Sequence, residues 1–280
     1  VRSAKIGERL KWPLTTLHGP AMAALEAEAV RQKKNVRSVR RLRKSVRLHQ
    51  TKAAAFVRSI RGTLDTAVHG HEHAKRHIER VLAQWISGGQ HGAILGIQGP
   101  PGNGKTSLVQ RGLAKCLDHP FVSIPMGGQT NSSALLGHGY TYVGSQWGKI
   151  VDALMQAKCM NPILYFDEVD KISRTERGQE ITGVLTHLTD ASQNEEFFDE
   201  YFQGIPIDLS KAIMVFTFND LGAIDPVLRD RMHVIRTQAL SRTEKVVIAK
   251  DFLLPAWLAE LGWKPDEFRL TDAQIVEVIE

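Results

Sequence analysis

The chain has 280 residues, 42% of them apolar and 24% charged, with a formal net charge of +6, which suits an ordinary globular protein with ample core. Its two cysteines, Cys116 and Cys159, exclude a disulfide framework or a cysteine-based metal centre. No apolar run approaches the roughly 18 residues of a membrane span and no signal peptide opens the chain, so a reducing, intracellular site is expected, cytoplasmic or alternatively the mitochondrial matrix. The first residue is Val1, as expected of a processed or partial chain.

The charge is unevenly spread. Between Arg31 and Arg61 there are twelve basic residues and no acid, which leaves the other basic residues outnumbered by acids. Val39, Leu42, Val46, Ala53, Phe56 and Ile60 recur at mostly three- and four-residue steps, predicting a helix with an apolar seam and basic outer faces. Residues 1–62 are therefore read as a basic helical front. Phosphate contact with nucleic acid through residues 31–61 stays open, although Phe56 is the only aromatic available for stacking there.

Thr63-Leu64-Asp65 marks an expected boundary, and Glu72 to Trp85 reads as an amphipathic helix. His69, His71, His73 and His77 cluster around it. His73 and His77 stand four apart, but no cysteine or suitably placed carboxylate completes a set, so no transition metal is expected.

Next comes the apolar run Ala93 to Gln98, predicted to be a buried parallel strand, and then Gly99-Pro100-Pro101-Gly102-Asn103-Gly104-Lys105-Thr106-Ser107. The spacing G-x-x-x-x-G-K-T between a strand and a helix is that of a phosphate-binding loop. Glycines allow successive backbone N–H groups to curl around an anion, and the following helix points its positive end at it. Lys105 would reach the β- and γ-phosphates of ATP, and Thr106 would take one Mg²⁺ position.

Phe121 to Ile124 is a second strand candidate; a Gly-rich segment, Met126 to Gly148, and a helix, Lys149 to Met155, follow. Pro162 to Phe166 then leads into Asp167 and Glu168. At the end of a central strand, Asp167 would hold Mg²⁺ and Glu168 would act as general base on the attacking water. Ile181 to Thr189 reads as helix and Ile213 to Phe218 as strand, ending on Asn219, a neutral amide suited to the γ-phosphate or the water. Arg229 and Arg231 sit at a short helix end, where an arginine can either neutralise a phosphoryl transition state or form a surface ion pair.

Taken together, these segments resemble the ATPase module of Lon-type AAA+ proteins, over roughly Leu64 to Trp263. The resemblance rests on the nucleotide motifs and on Gly137-His138, Thr141-Tyr142-Val143-Gly144, the run Phe166 to Lys171, Asp190 with Gln193-Asn194, Asp199-Glu200-Tyr201, Asp208-Leu209-Ser210 and Asp230-Arg231-Met232. It implies an α/β P-loop NTPase core, a parallel sheet flanked by helices, over residues 63–236, and the start of a helical lid over 237–280. It also implies roles: Glu168 as base, Asn219 as sensor of the γ-phosphate, Arg231 as an arginine finger acting on a neighbouring subunit, and His69-Gly70 wrapped around adenine. Tyr142 and Val143 match a pore loop that grips unfolded polypeptide, and residues 173–178 match a second such loop.

Some positions depart from the family. Trp147, in the pore segment, stands where proline is usual, and the front helix is unusually basic. The chain ends before any Ser-Lys proteolytic region and before the second sensor arginine. The wording around Trp147 and from Met155 to Pro162 is similar to that of viral and other Lon-like ATPases. The expectation is a Mg-ATP-hydrolysing homo-oligomeric ring, a hexamer, that unfolds protein either for a protease or alone; a nucleic-acid remodelling ATPase is the alternative.

Overall fold

The computed structural model describes residues 51, 54–86, 93–139, 141, 144–173, 175–264 and 268–279. The first described helix, α1, covers 54–67 and runs through the expected boundary at Thr63-Leu64-Asp65. The reason is its stripe: Ile60, Leu64 and Ala67 recur on one face and are buried against the sheet, so the helix has no point at which to stop. Of the twelve basic residues of the front, Arg58 and Arg61 fall in the described chain; the others, with the expected helix before residue 51, lie outside it. Helix α2 (Glu72–Ile86) follows and buries Ala74, Ile78 and Leu82 in the same layer.

Five strands form one parallel sheet: β1 (Ile94–Gln98), β2 (Phe121–Pro125), β3 (Ile163–Asp167), β4 (Ile213–Phe218) and β5 (His233–Arg236), in the order β2-β3-β4-β1-β5. The α/β P-loop core expected from the sequence is therefore what forms. Strand β5 was not anticipated, because four residues with only Val234 and Ile235 apolar give too short an alternation to read. Its pairing with β1, Ile97 beside Ile235, supplies what the local pattern lacks.

Strict alternation divides the sheet into two buried faces. Ile163 and Tyr165 of β3, Ile213 and Val215 of β4, and Leu95 and Ile97 of β1 join the layer of α1, α2 and α3, the last being helical from residue 105 to 117. Leu164, Phe166, Met214, Phe216 and Phe218 point the other way. They pack with α5 (Lys149–Ala157) and α6 (Glu176–Leu188); a short α4 (Ser133–Leu136) precedes α5. Phe166 and Phe216 stack there at 4.8 Å between ring centres.

After β4 come α7 (Pro226–Asp230) and β5, and then the C-terminal helices, where α8 runs from 242 to 260 and α9 is Asp272–Ile279. Ser241 and Glu244 form a reciprocal capping box that fixes where α8 begins. Among the described residues no helix is long and apolar enough to cross a membrane.

Candidate functional site

The strand order decides what meets at the carboxyl edge of the sheet. β4 lies between β1 and β3, so the loop after β1, the acids ending β3 and Asn219 after β4 emerge side by side, where open α/β sheets bind ligands. The loop after β1 is pinned at both sides. Gly99 N donates to Phe218 O at 3.1 Å, Asn103 Nδ2 donates to Thr237 Oγ1 at 2.7 Å, and Thr237 Oγ1 donates to Gln98 O at 2.9 Å. A Cβ on Gly99 would lie 2.0 Å from Thr237 Oγ1, so this approach requires glycine. Gly102 and Gly104 have φ of 70° and 84°, the left-handed turns that gather backbone N–H groups around an anion. Gly104 brings no side chain to cap the helix that starts at Lys105, so its first N–H groups are available to a ligand. These features fit a bound phosphate group.

Lys105 Nζ donates to Gly99 O at 2.7 Å, to Pro100 O at 2.9 Å and to Asn219 Oδ1 at 2.9 Å. Burial lowers its pKa from the usual lysine value, against the pull of Asp167, Asp170 and Glu168 nearby. Asn219 is itself anchored: its backbone N–H, and that of Asp220, donate to Asp170 Oδ2 at 3.2 and 3.4 Å. The other Asp170 oxygen is buried without a protein partner, in a region already rich in carboxylate charge.

Behind the loop runs a chain of hydroxyls. Thr106 Oγ1 and Tyr165 OH are 2.9 Å apart, Tyr165 OH donates to Asp167 Oδ1 at 3.3 Å, and Thr217 Oγ1 donates to the same oxygen at 2.5 Å. Glu168 N donates to Thr217 Oγ1 at 3.3 Å. Burial pushes the Tyr165 hydroxyl up to about 12. Thr106 and Asp167, a hydroxyl and a carboxylate, are the hard oxygen donors that Mg²⁺ takes, and one buried phenol joins them.

Glu168 adopts a left-handed conformation, φ 56°, and its carboxylate lies over Gly127, where a Cβ would come within 2.7 Å of Oε2. On the other side of the loop, Gly70 (φ 72°) and His71 (φ 55°) turn the chain after α1. His71 Nε2 lies 2.7 Å from Asn103 O, and a Cβ on Gly70 would meet Glu244 Oε1 at 2.9 Å. The turn at residues 69–71 is thereby wedged between the phosphate loop and the start of α8. Hydrogen bonds from the Ser241 backbone and hydroxyl hold the Glu244 carboxyl below its usual range, helped by His69 and His71.

Arg231 caps the end of α7 and is held within its own chain, donating to Thr186 O and, at 3.0 Å, to Asp190 Oδ2. Arg61, from the basic front, is bound by Asp65, Glu72 and Glu79. It is committed to α2 and not to an external phosphate.

Tyr142 and Val143 lie outside the described residues. The base of their segment does not. Glu200 N donates to Leu136 O at 2.8 Å, and buried Asp199 accepts from Gly148 N at 2.8 Å, so both ends of 137–148 are stapled to one strip of chain. Trp147 packs edge-on to Tyr201, 5.9 Å between centres, and is 40% exposed. The expectation of a second loop over 173–178 is corrected in part: Glu176 to Gly178 form the first turn of α6, with Gly178 packed tightly against Ser173 O.

Tyr165, Thr217 and Gly127 are the residues that sequence reasoning passed over, while Asp170 and Asp199 entered it only through the resemblance, without a role. A signal existed for Tyr165: two residues before a strand-end acid, it must share that acid's face.

Residues 95–240 match the AAA family, described as ATPases associated with various cellular activities. Among curated proteins, the chain is 33% identical over 232 residues to a Lon protease homolog of Acanthamoeba polyphaga mimivirus, covering 82% of this chain and 23% of that protein. It is 40% identical over 217 residues to Lon protease 1 of Bacillus subtilis (77% and 28%), and 39% over 222 residues to Lon protease 4 of Sorangium cellulosum (79% and 27%). The chain thus spans about a quarter of the length of these relatives.

Proposed function

The chain belongs to the AAA family of ATPases and is an ATPase module of the Lon type, and from that premise we propose that it hydrolyses Mg-ATP between the subunits of a ring and uses the energy to pull polypeptide through the centre. The observation that carries the site is the meeting of Lys105, Asp167-Glu168 and Asn219 at one sheet edge, with Lys105 Nζ already 2.9 Å from Asn219 Oδ1.

Each residue then has a task. Lys105, with the N–H groups of residues 99–107, balances the phosphate charge, and His69-Gly70 lies against the base. Thr106 and Asp167 would hold Mg²⁺, which supplies charge neutralisation on the transferring phosphoryl group. Glu168 accepts the proton of the attacking water, and Asn219 orients the water or the γ-phosphate through its amide. Arg231 completes the site of an adjacent copy. Phosphoryl transfer spreads charge over equatorial oxygens, and a guanidinium brought in from a neighbour is the part that an isolated protomer lacks. Six copies make the ring. Tyr142 and Val143, with Trp147 beside them, would grip the polypeptide, delivering it to a proteolytic domain of the kind named in the relatives or releasing it unfolded.

Subunit mixing tests the shared site. Protomers carrying Glu168→Gln and protomers carrying Arg231→Ala should each be inactive alone, and a mixture should regain ATP turnover where an intact Glu168 meets an intact Arg231. A mixture that stays inactive, or an Arg231→Ala protein that hydrolyses ATP like the parent, rejects trans action. For the pore, Tyr142→Ala should keep ATP turnover and lose unfolding of a tagged substrate.

A further inference from the structure

The hydroxyl chain behind the phosphate loop has a direction, fixed by what each group can donate. A carboxylate only accepts, so each hydroxyl bonded to Asp167 Oδ1 gives it its single proton: Tyr165 at 3.3 Å, and Thr217 at 2.5 Å, nearer than its other acceptor, Phe166 O at 3.5 Å. With its proton used, Tyr165 can only accept from Thr106, 2.9 Å away. Thr217 likewise can only accept from Glu168 N. The order is therefore Thr106 to Tyr165 to Asp167 from one side, and Glu168 N to Thr217 to Asp167 from the other.

That order has a consequence for the proposed metal ligands. A hydroxyl that binds a cation must offer a lone pair and turn its proton away. The Thr106 proton is drawn inward by Tyr165, so its lone pairs are left outward. Asp167 has Oδ1 held by two donors, and Oδ2 takes no part in the chain. Tyr165 is itself immobile: it has no exposed surface, sits in the middle of β3 with Val215 beside it in register, and packs its ring 5.2 Å from Phe121. A buried ring on a central strand cannot swing away, so the direction is built in before ligand arrives.

We propose that Tyr165 is a positioning residue that sets the proton of Thr106 and the rotamer of Asp167 together, so that both present lone pairs to a divalent cation. This rests on the reading that Thr106 and Asp167 are the cation's ligands. Tyr165 acts through them and touches neither nucleotide nor metal. Its role corresponds physically to that of outer-shell partners that orient ligands in metal sites.

The test is divalent-cation dependence of nucleotide binding, read as Mn²⁺ affinity in the presence of a non-hydrolysable ATP analogue. Tyr165→Phe keeps the ring and the packing. It should weaken Mn²⁺ binding about tenfold, the low end of what losing an outer-shell partner costs, while binding of the analogue in EDTA stays as in the parent. In a Thr106→Ala background, the same substitution should cost clearly less, because the effect runs largely through Thr106. A merely structural tyrosine would change both backgrounds alike, or would lower metal-free binding as well. Unchanged Mn²⁺ affinity in Tyr165→Phe overturns the proposal. Should Tyr165→Phe fold poorly, Thr217→Val, which removes the second donor to the same oxygen and leaves Tyr165 and its bond to Thr106 in place, should lower Mn²⁺ affinity by clearly less than about tenfold, and a loss of about tenfold or more would put the positioning of Asp167 on Thr217 and overturn the proposal. Thr106→Ala and Asp167→Asn serve as the separate check on the ligand reading: if they too leave Mn²⁺ affinity unchanged, it is that reading, and not the role of Tyr165 alone, that fails.

Discussion

Asn219 Oδ1 accepts a hydrogen bond from Lys105 Nζ at 2.9 Å, joining the end of β4 to the phosphate loop after β1. The contact exists because β1 and β4 are neighbours in register, Gln98 beside Phe218, so that the residues just past them face each other. The backbone of Asn219 is fixed in turn by Asp170.

Asn219→Ala should therefore leave nucleotide affinity within about threefold of the parent and reduce the turnover number by roughly a hundredfold, as losing one aimed polar group at a charge-developing centre does. Steady-state turnover beside equilibrium binding of a fluorescent ATP analogue measures both. A fall in affinity as large as the fall in turnover would place Asn219 in ground-state binding only.

Gly127→Ala separates chemistry from folding. The new methyl would stand 2.7 Å from Glu168 Oε2, the free end of a side chain, and touches no backbone within that distance. Moving a carboxylate is cheap, so thermal stability should change by less than about 0.5 kcal/mol. Displacing a general base, the role proposed for Glu168, is not, and turnover should drop by roughly a hundredfold. Retained turnover would mean that Glu168 works from another position.

Asp65 governs an acid-sensitive contact. Lys75 is buried, 2% exposed, and its Nζ donates to Asp65 Oδ1 at 2.8 Å. The Lys75 hydrogen bond, with Arg61 assisting, holds the Asp65 carboxyl below its ordinary value. A depressed folded-state pKa means stability that is full above the unfolded value of about 3.9 and lost as pH falls through the folded one. Asp65→Asn should cost about 2 kcal/mol at pH 7, less than for a fully buried pair because Asp65 is half exposed. Melting curves of parent and variant should differ at pH 7, begin to converge as pH falls below about 3.9 and meet only below the depressed folded-state value; parallel curves across that range would exclude the pair.

Asp199→Ala should loosen residues 137–148, the proposed pore segment, from their base. The buried carboxylate accepts from Gly148 N and Tyr201 N, and its loss leaves a buried donor unpaired, which costs about 1–3 kcal/mol. On the proposed function, ATP turnover should persist while unfolding of a tagged substrate falls at least about tenfold, since a pore loop that pulls polypeptide passes force through that base. Equal loss of both activities would argue for general destabilisation.

What the sequence determined by itself was local. Gly99 to Ser107 declares a phosphate loop because the anion is bound by consecutive backbone groups, and consecutive groups are visible in a string of residues. The runs ending in Asp167-Glu168 and Asn219 announce buried strands with polar ends for the same reason. What only the tertiary structure decided was every relation across strands. The insertion of β4 between β1 and β3 set Asn219 against Lys105, and alternation put Tyr165 and Asp167 on the face of Thr106. The close packing of Glu168 over Gly127, and the hold of Asp190 on Arg231, join residues about forty apart in sequence. Such pairings depend on strand order and register, which arise when separate apolar faces find one another, and no single stretch of chain carries that information.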